Sequence, residues 1–243
     1  VPAHLYQLIQ RGSTGSKPQT HFWDQWQPLQ RNRVLWVLWR QNIFFSYNAT
    51  MPTLLSDPNC GFVWDNSAPH KVQFFAWLLA KDRLPTSKNL HTKTIIPSAQ
   101  CKVCLLRDED ANHLFLHCPF TSSFWNLIGI APNVTDVSQL HVLAPTTAVP
   151  SKHFKTFYLL CFWSIWNHRH EVVFRNLQPS LSRLLNRCRE ESSLWAERLK
   201  RPDRLVSTAW TTIFTTSLSF LHLQWPAAGS CPCFKLVTYN FPL

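Results

Sequence analysis

Four potential metal ligands near the middle of the chain constrain its fold more than any other feature. Two cysteines are followed by a histidine and a third cysteine with the spacing C-x2-C-x8-H-x4-C, across residues 101–118. Zn²⁺ prefers four such ligands in a tetrahedron, with sulfur at ~2.3 Å and imidazole nitrogen at ~2.1 Å. The spacing therefore predicts a zinc site formed by Cys101, Cys104, His113 and Cys118. Four protein ligands leave no open position for a catalytic water, so the predicted site is structural.

The identity of the fourth ligand has an alternative in the sequence. His113 and His117 are separated by three residues, which is also a finger spacing. The usual Cys2His2 finger places ~12 residues between the second cysteine and the first histidine, whereas here there are eight. This difference favours Cys118 over His117. A third interpretation, buried thiols and ordinary histidines without a metal, stays open.

Apolar residues at helical spacing predict a mainly α-helical fold. They recur at i, i+3, i+4 and i+7 in two runs, the pattern of a helix with one buried face. The runs are Phe154, Phe157, Tyr158, Cys161, Phe162, Ile165 and Trp166, and then Leu181, Leu184, Leu185, Cys188, Trp195 and Leu199. The short turn around Pro179 predicts an antiparallel helical hairpin. Glycine is only 5 of 243 residues, which disfavours β-sandwiches, barrels and glycine-rich nucleotide loops.

The distribution of motifs divides the chain into five expected regions. They are a weakly patterned basic segment at 1–60, a small zinc-stabilised helical module at 61–130, a proline-containing linker at 131–152, the hairpin region at 153–216 and an unpatterned tail at 217–243. The chain does not begin with methionine, and its one methionine is Met51. From these features we expect a fragment or an irregular gene model.

An excess of positive charge predicts a nucleic-acid partner. The chain has 24 Lys and Arg against 13 Asp and Glu, a formal net charge of +11. Six cations around the metal motif form the expected phosphate-contacting face, called here the basic surface: Lys71, Lys81, Arg83, Lys88, Lys93 and Lys102. The aromatic residues between them, Phe74, Phe75 and Trp77, are expected in the core. Residues 168–170, called here the polar triplet, are expected at the exposed end of a helix.

Other sequence features argue against a membrane partner and against secretion. No run reaches the ~20 apolar residues of a membrane-spanning helix, so no membrane is expected. The N-terminus lacks the pattern of a signal peptide, and eight cysteines then favour metal ligands or buried thiols in an intracellular protein. Cys161 and Cys188 are expected as core thiols, and Cys231 and Cys233 as part of an ordinary tail.

The order of aromatic and metal motifs resembles the reverse-transcriptase zinc-binding domain of plant non-LTR (LINE-type) retroelements. The motifs are Phe62-Val-Trp64, Pro69-His-Lys71-Val-Gln-Phe74-Phe75-Ala-Trp77, Ile95-Ile-Pro97, Cys101-x2-Cys104, His113-Leu-Phe115, Cys118-Pro119-Phe120 and Trp125. The resemblance covers about residues 61–126. Phe162-Trp163-Ser-Ile-Trp166 and Leu194-Trp195 also resemble the helical segment that often follows this domain in grasses.

The resemblance implies a module that accompanies a polymerase rather than the polymerase itself. Reverse transcriptases carry paired catalytic aspartates, usually in Tyr-x-Asp-Asp, and this chain has no Asp-Asp dipeptide. We therefore expect no catalytic residues and no small-molecule substrate. The first functional hypothesis is a zinc-stabilised module that binds RNA or DNA. The alternatives are a zinc-stabilised protein-interaction scaffold and a decayed retroelement fragment with no cellular activity.

Overall fold

Helices make up the regular secondary structure of the residues described by the computed structural model, which are 57–130 and 132–224. The α-helices are α1 (Cys60–Trp64), α2 (His70–Ala80), α3 (Ser87–Thr92), α4 (Pro119–Ile128), α5 (Phe154–Arg175), α6 (Leu181–Ala196) and α7 (Val206–Gln224). A π-helical turn spans His113–His117, and short 3-10 turns span Val137–Val142, Ser151–His153 and Arg201–Asp203. These helices belong to the unit that begins at Pro58. The predicted mainly α fold is confirmed.

The ends of several helices follow from the local sequence. The Thr86 side chain accepts a hydrogen bond from the Asn89 amide and caps α3, and Ser180 caps α6 in the same way. Pro119 occupies the first turn of α4, where its missing N–H has no cost. α4 ends at Gly129, whose φ of 66° is left-handed and free of strain in glycine. Residues with local partners therefore fix these boundaries.

The long helix α5 lies at the centre of the core. Thirteen of its 22 residues are buried, including residues on faces that the one-sided apolar pattern did not include, such as Leu160. Trp163 packs edge-on against Phe75 of α2, with ring centroids 5.4 Å apart, while Phe157 stacks on Phe214 of α7 at 5.7 Å. The expectation of a helix with one buried face is thus wrong for α5, because helices pack on opposite sides of it.

The C-terminal helices form the expected hairpin, with α7 as an additional member. α5 and α6 are joined by a short turn and pack together, but the most extensive helix–helix contact is between α6 and α7. In this pair, Ser192 and Thr211 bring their hydroxyl oxygens within 3.1 Å. α7 reaches Gln224, so residues 217–224 of the segment without a sequence pattern are helical. Residues 225–243, including Cys231 and Cys233, and residues 1–56 lie outside the described part.

The segment at 131–152, expected to be a linker, contributes side chains to the core. Val137, Leu140, Leu143 and Val149 are all buried. Its backbone is tied to the metal-binding region because the Asn112 side-chain oxygen accepts a hydrogen bond from the Val137 amide at 2.8 Å. None of the described helices combines the length and apolar character needed to cross a lipid bilayer.

Candidate metal centre

The fold brings together the four side chains that the sequence spacing grouped. The ligand atoms of Cys101, Cys104, His113 and Cys118 all lie within 4.8 Å of one another, and we call them the Cys3His cluster. The Cys104 sulfur lies 3.2 Å from His113 Nε2. Cys101 and Cys118 are fully buried, while Cys104 is partly exposed. The cluster therefore lies at the edge of the core with one side near solvent.

A short hairpin-like loop, residues 99–109, positions the first two cysteines. The Cys101 amide donates to the carbonyl of Arg107 at 2.8 Å, and the Glu109 amide donates to the carbonyl of Ala99 at 2.8 Å. The turn closes where the Leu105 amide donates to the Cys101 carbonyl, with Leu105 in the left-handed region at φ 60°. We call this segment the zinc loop. The three hydrogen bonds fix its shape, so that the Cys101 and Cys104 sulfurs lie close to the same point.

A π-helical turn positions the other two ligands. In such a turn the backbone hydrogen bond joins residues five apart, and the Cys118 amide accordingly donates to the His113 carbonyl at 2.6 Å. An α-helical turn would place residues five apart on different faces, whereas the wider turn brings His113 and Cys118 to the same side. The Asp110 side chain holds the start of this turn by accepting from the His113 amide at 2.8 Å.

Local geometry also separates the two candidates for the fourth ligand. Cys118 is fully buried beside the other three residues, at the start of α4. His117 is exposed and is absent from the cluster of ligand atoms found in the described residues. The arrangement thus favours Cys118, as the spacing did.

The cluster fits a zinc ion. From the usual bond lengths, a tetrahedral site with three sulfurs and one nitrogen has ligand–ligand distances of about 3.6–3.8 Å, close to the separations here. A hydrogen bond with the Cys118 thiol, together with burial, raises the pKa of the Cys101 thiol to about 12. The Cys101 sulfur therefore holds its proton in the absence of a cation, and Zn²⁺ would displace that proton on binding. The residue types, their number and their spacing all suit zinc.

The six residues of the basic surface differ in their surroundings. Three of them are exposed and have neither an ion pair nor an aromatic-ring contact within the described residues: Arg83, Lys93 and Lys102. Lys88 is bound to Asp110 at 3.0 Å, and this hydrogen bond raises the pKa of Lys88. The Lys71 amine lies 5.4 Å from the ring centroid of Trp163. Lys81 is half-buried. The structure therefore gives these cations at least three kinds of environment.

The aromatic residues beside these cations are partly in the core. Phe75 is buried and meets the Phe115 ring at 6.0 Å, as expected for a core residue. Phe74 and Trp77 are half-buried and stack on each other at 5.7 Å. Of the three aromatic residues that were expected in the core, only Phe75 is therefore fully buried. Cys161 and Cys188 are fully buried, as expected for core thiols.

The polar triplet is not the exposed end of a helix. His168 and Arg169 are neighbours in α5 and are buried, with 1% and 2% of their surface exposed. The His168 ring stacks on Phe120. Arg169 forms an ion pair with the fully buried Glu109 of the zinc loop, 2.6 Å from Nη2 to Oε1. The sequence reasoning missed this pair because its members are 60 positions apart. Arg169 lies on the apolar face of α5, four positions after Ile165 and three after Trp166, and this placement was the signal that a buried acidic partner exists.

Together, the helical fold and the Cys3His cluster define a small zinc-binding module built onto a helical core. Residues 45–125 match the family model described as zinc-binding in reverse transcriptase. The match spans about a third of the chain and contains the complete Cys3His cluster. Comparison with curated proteins and with solved structures gives no significant match. The segment is thus similar to the reverse-transcriptase zinc-binding domain, and the cluster suits the metal that this description names.

Proposed function

We propose that this chain carries a non-catalytic zinc-binding module derived from the reverse transcriptase of a plant non-LTR retroelement, and that the module contacts RNA or DNA through its basic surface. The observation that supports the proposal best is the Cys3His cluster, complete and convergent within the segment that matches the family. All four ligands come from the protein, so the zinc stabilises the fold and leaves no position for a reacting water.

The charges of the described residues limit which part of the basic surface can bind phosphate. Lys88 forms an ion pair with Asp110, and the Lys71 amine lies over an aromatic ring. Arg83, Lys93 and Lys102 keep exposed charges without an ion pair in the described residues. We therefore expect these three cations to make the main phosphate contacts. Contacts between exposed lysine or arginine side chains and phosphate carry no sequence information, so the binding should not depend on sequence.

The distribution of charge along the chain indicates a second possible location for the nucleic-acid contact. Residues 57–130 contain seven Lys or Arg and six Asp or Glu, a net charge of +1, whereas residues 132–224 contain eleven and six, a net charge of +5. The positive charge of the chain is therefore concentrated outside the zinc module. A test of the proposal has to distinguish these two regions.

Fluorescence anisotropy of a labelled single-stranded RNA across a salt series makes this distinction. For three phosphate contacts, the slope of log K against log salt should be roughly −2 for a single strand. Replacing Arg83, Lys93 and Lys102 by alanine should flatten that slope. The matched control replaces three exposed cations outside the module, Arg198, Lys200 and Arg201, and should leave the slope nearly unchanged.

The opposite pattern contradicts the proposed interface. If the control variant loses binding and the module variant keeps it, the nucleic acid contacts the C-terminal helices instead. If the wild-type chain shows no binding at low salt, the module is a scaffold. One observation favours that second function: Leu105 and Leu106, at the tip of the zinc loop, are 58% and 62% exposed. A rigid loop with two exposed apolar side chains is suited to contact another protein.

A further inference from the structure

A buried ion pair joins the zinc loop to α5, beyond the end of the segment that matches the family. The Glu109 side chain is fully buried, and Arg169 is 2% exposed. Arg169 Nε donates to both carboxylate oxygens, at 3.0 and 3.2 Å, and Nη2 donates to Oε1 at 2.6 Å. Two donors of one guanidinium on one carboxylate fix its orientation as well as its position.

Ser87, at the start of α3, completes this network. Its amide donates to Glu109 Oε1 at 2.8 Å, and its hydroxyl lies 3.1 Å from the same oxygen. The Arg169 guanidinium also donates to the Ser87 hydroxyl at 3.3 Å and lies over the Trp166 ring. Both charged groups therefore have several partners in a space without water access. Removing one member would leave the other charge buried and unpaired, which is worse than replacing both.

The backbone of Glu109 is part of the structure that positions the metal ligands. Its amide closes the zinc loop by donating to Ala99, and its carbonyl accepts from the Lys88 amide at 2.9 Å. The next residue, Asp110, holds the first turn of the segment that carries His113. In sequence, Glu109 thus lies between the first two ligands, Cys101 and Cys104, and the last two, His113 and Cys118. A shift of its side chain would displace these two pairs of ligands relative to each other.

From these contacts we propose that Arg169 is a positioning residue for the zinc site. By holding the Glu109 carboxylate, it fixes the zinc loop against α5, so that zinc affinity depends on a helix outside the matched segment. The inference rests on the zinc binding of the proposed function. Partners that orient metal ligands from outside the coordination sphere typically change metal affinity by about 10–100-fold when removed.

The test measures zinc affinity of the full chain by competition with a chromophoric chelator. Arg169→Met should weaken zinc binding by about tenfold or more. Arg169→Lys, which keeps the charge but not the two-donor geometry, should have an intermediate effect. Adding Glu109→Gln to Arg169→Met should recover much of the loss, because no unpaired charge remains and the amide oxygen can still accept from Ser87.

A matched control separates positioning from general stability. Arg187 of α6 pairs with Glu171 of α5, so Arg187→Gln also breaks an ion pair of α5 but does not touch the zinc loop. Melting temperatures of all variants and the absorption spectrum of the cobalt-substituted proteins accompany the affinities. We expect the cobalt spectrum to change in Arg169→Met and to stay native in Arg187→Gln.

Two results would overturn the inference. The first is native zinc affinity in Arg169→Met. The second is an equal loss of affinity in Arg187→Gln at an equal loss of melting temperature, since zinc binding would then follow global stability alone. A wild-type chain that binds no zinc contradicts the metal site itself, and so differs from both of these outcomes.

Discussion

Replacing Cys118 by serine is the most direct perturbation of the zinc site. The Cys118 thiol is fully buried and belongs to the Cys3His cluster, and a neutral hydroxyl is a much weaker zinc ligand than a thiolate. The chain offers a matched control in Cys188 of α6, which is also fully buried but lies outside the cluster. Both changes replace a buried sulfur by oxygen, and only one of them removes a ligand.

The two variants should differ by the contribution of the metal. Structural zinc sites in finger peptides bind with about 10–16 kcal/mol at neutral pH, so an equal share for each of four ligands is about 2.5–4 kcal/mol. That share corresponds to a loss of zinc affinity on the order of 10²–10³-fold. A buried hydroxyl that has only a thiol as its hydrogen-bond partner costs about 1–3 kcal/mol in either variant. Cys188→Ser should therefore lower the melting temperature by about 2–4 °C per kcal/mol without changing zinc affinity.

Metal content and thermal melts with and without chelator measure these effects. Wild type and Cys188→Ser should each bind one zinc ion and lose a large part of their stability when the chelator removes it. Cys118→Ser should melt like the chelated wild type, and the chelator should have little further effect on it. If Cys118→Ser retains one tightly bound zinc and a native melt, the ligand set is wrong.

Two further predictions concern single residues of the helical core. His168 Nε2 accepts a hydrogen bond from the Ser180 amide, and burial lowers the pKa of His168 to about 4. Because the unfolded chain, with a histidine pKa near 6.5, then binds the proton more strongly, stability should fall by up to about 1.4 kcal/mol per pH unit between about pH 6.5 and 4. Urea unfolding at a series of pH values measures the free energy of unfolding of the wild type and of His168→Gln. The difference between the two proteins should show this slope, and curves of free energy against pH that run parallel would contradict the prediction. Gly129→Ala should destabilise the protein by about 1–2 kcal/mol because Gly129 has a left-handed φ of 66°. Gly61→Ala is the control: this glycine lies inside α1, where alanine should be neutral or stabilising. Similar melting temperatures for the two variants would show that the left-handed conformation carries no cost.

The sequence determined the features that depend on residues close together in the chain. The metal-ligand spacing grouped the four residues that the structure brings within 4.8 Å, because loops and turns of fewer than ten residues restrict where such side chains can lie. Helix caps depend on local sequence for the same reason, since the Thr86 and Ser180 side chains each accept a hydrogen bond from an amide three positions away. The apolar periodicity likewise predicted where α5 and α6 form.

Tertiary structure decided the features that depend on distant residues. The periodicity of α5 describes one face, and only packing by α2 and α7 on opposite sides explains the burial of the others. Nothing local to Arg169 indicates that its partner is Glu109, because the pairing of buried charges is set by which elements meet in space. The free energy of a buried charge depends on its surroundings rather than on its neighbours in sequence. For that reason, the contact that connects the zinc loop to the helical core became visible only in the folded chain.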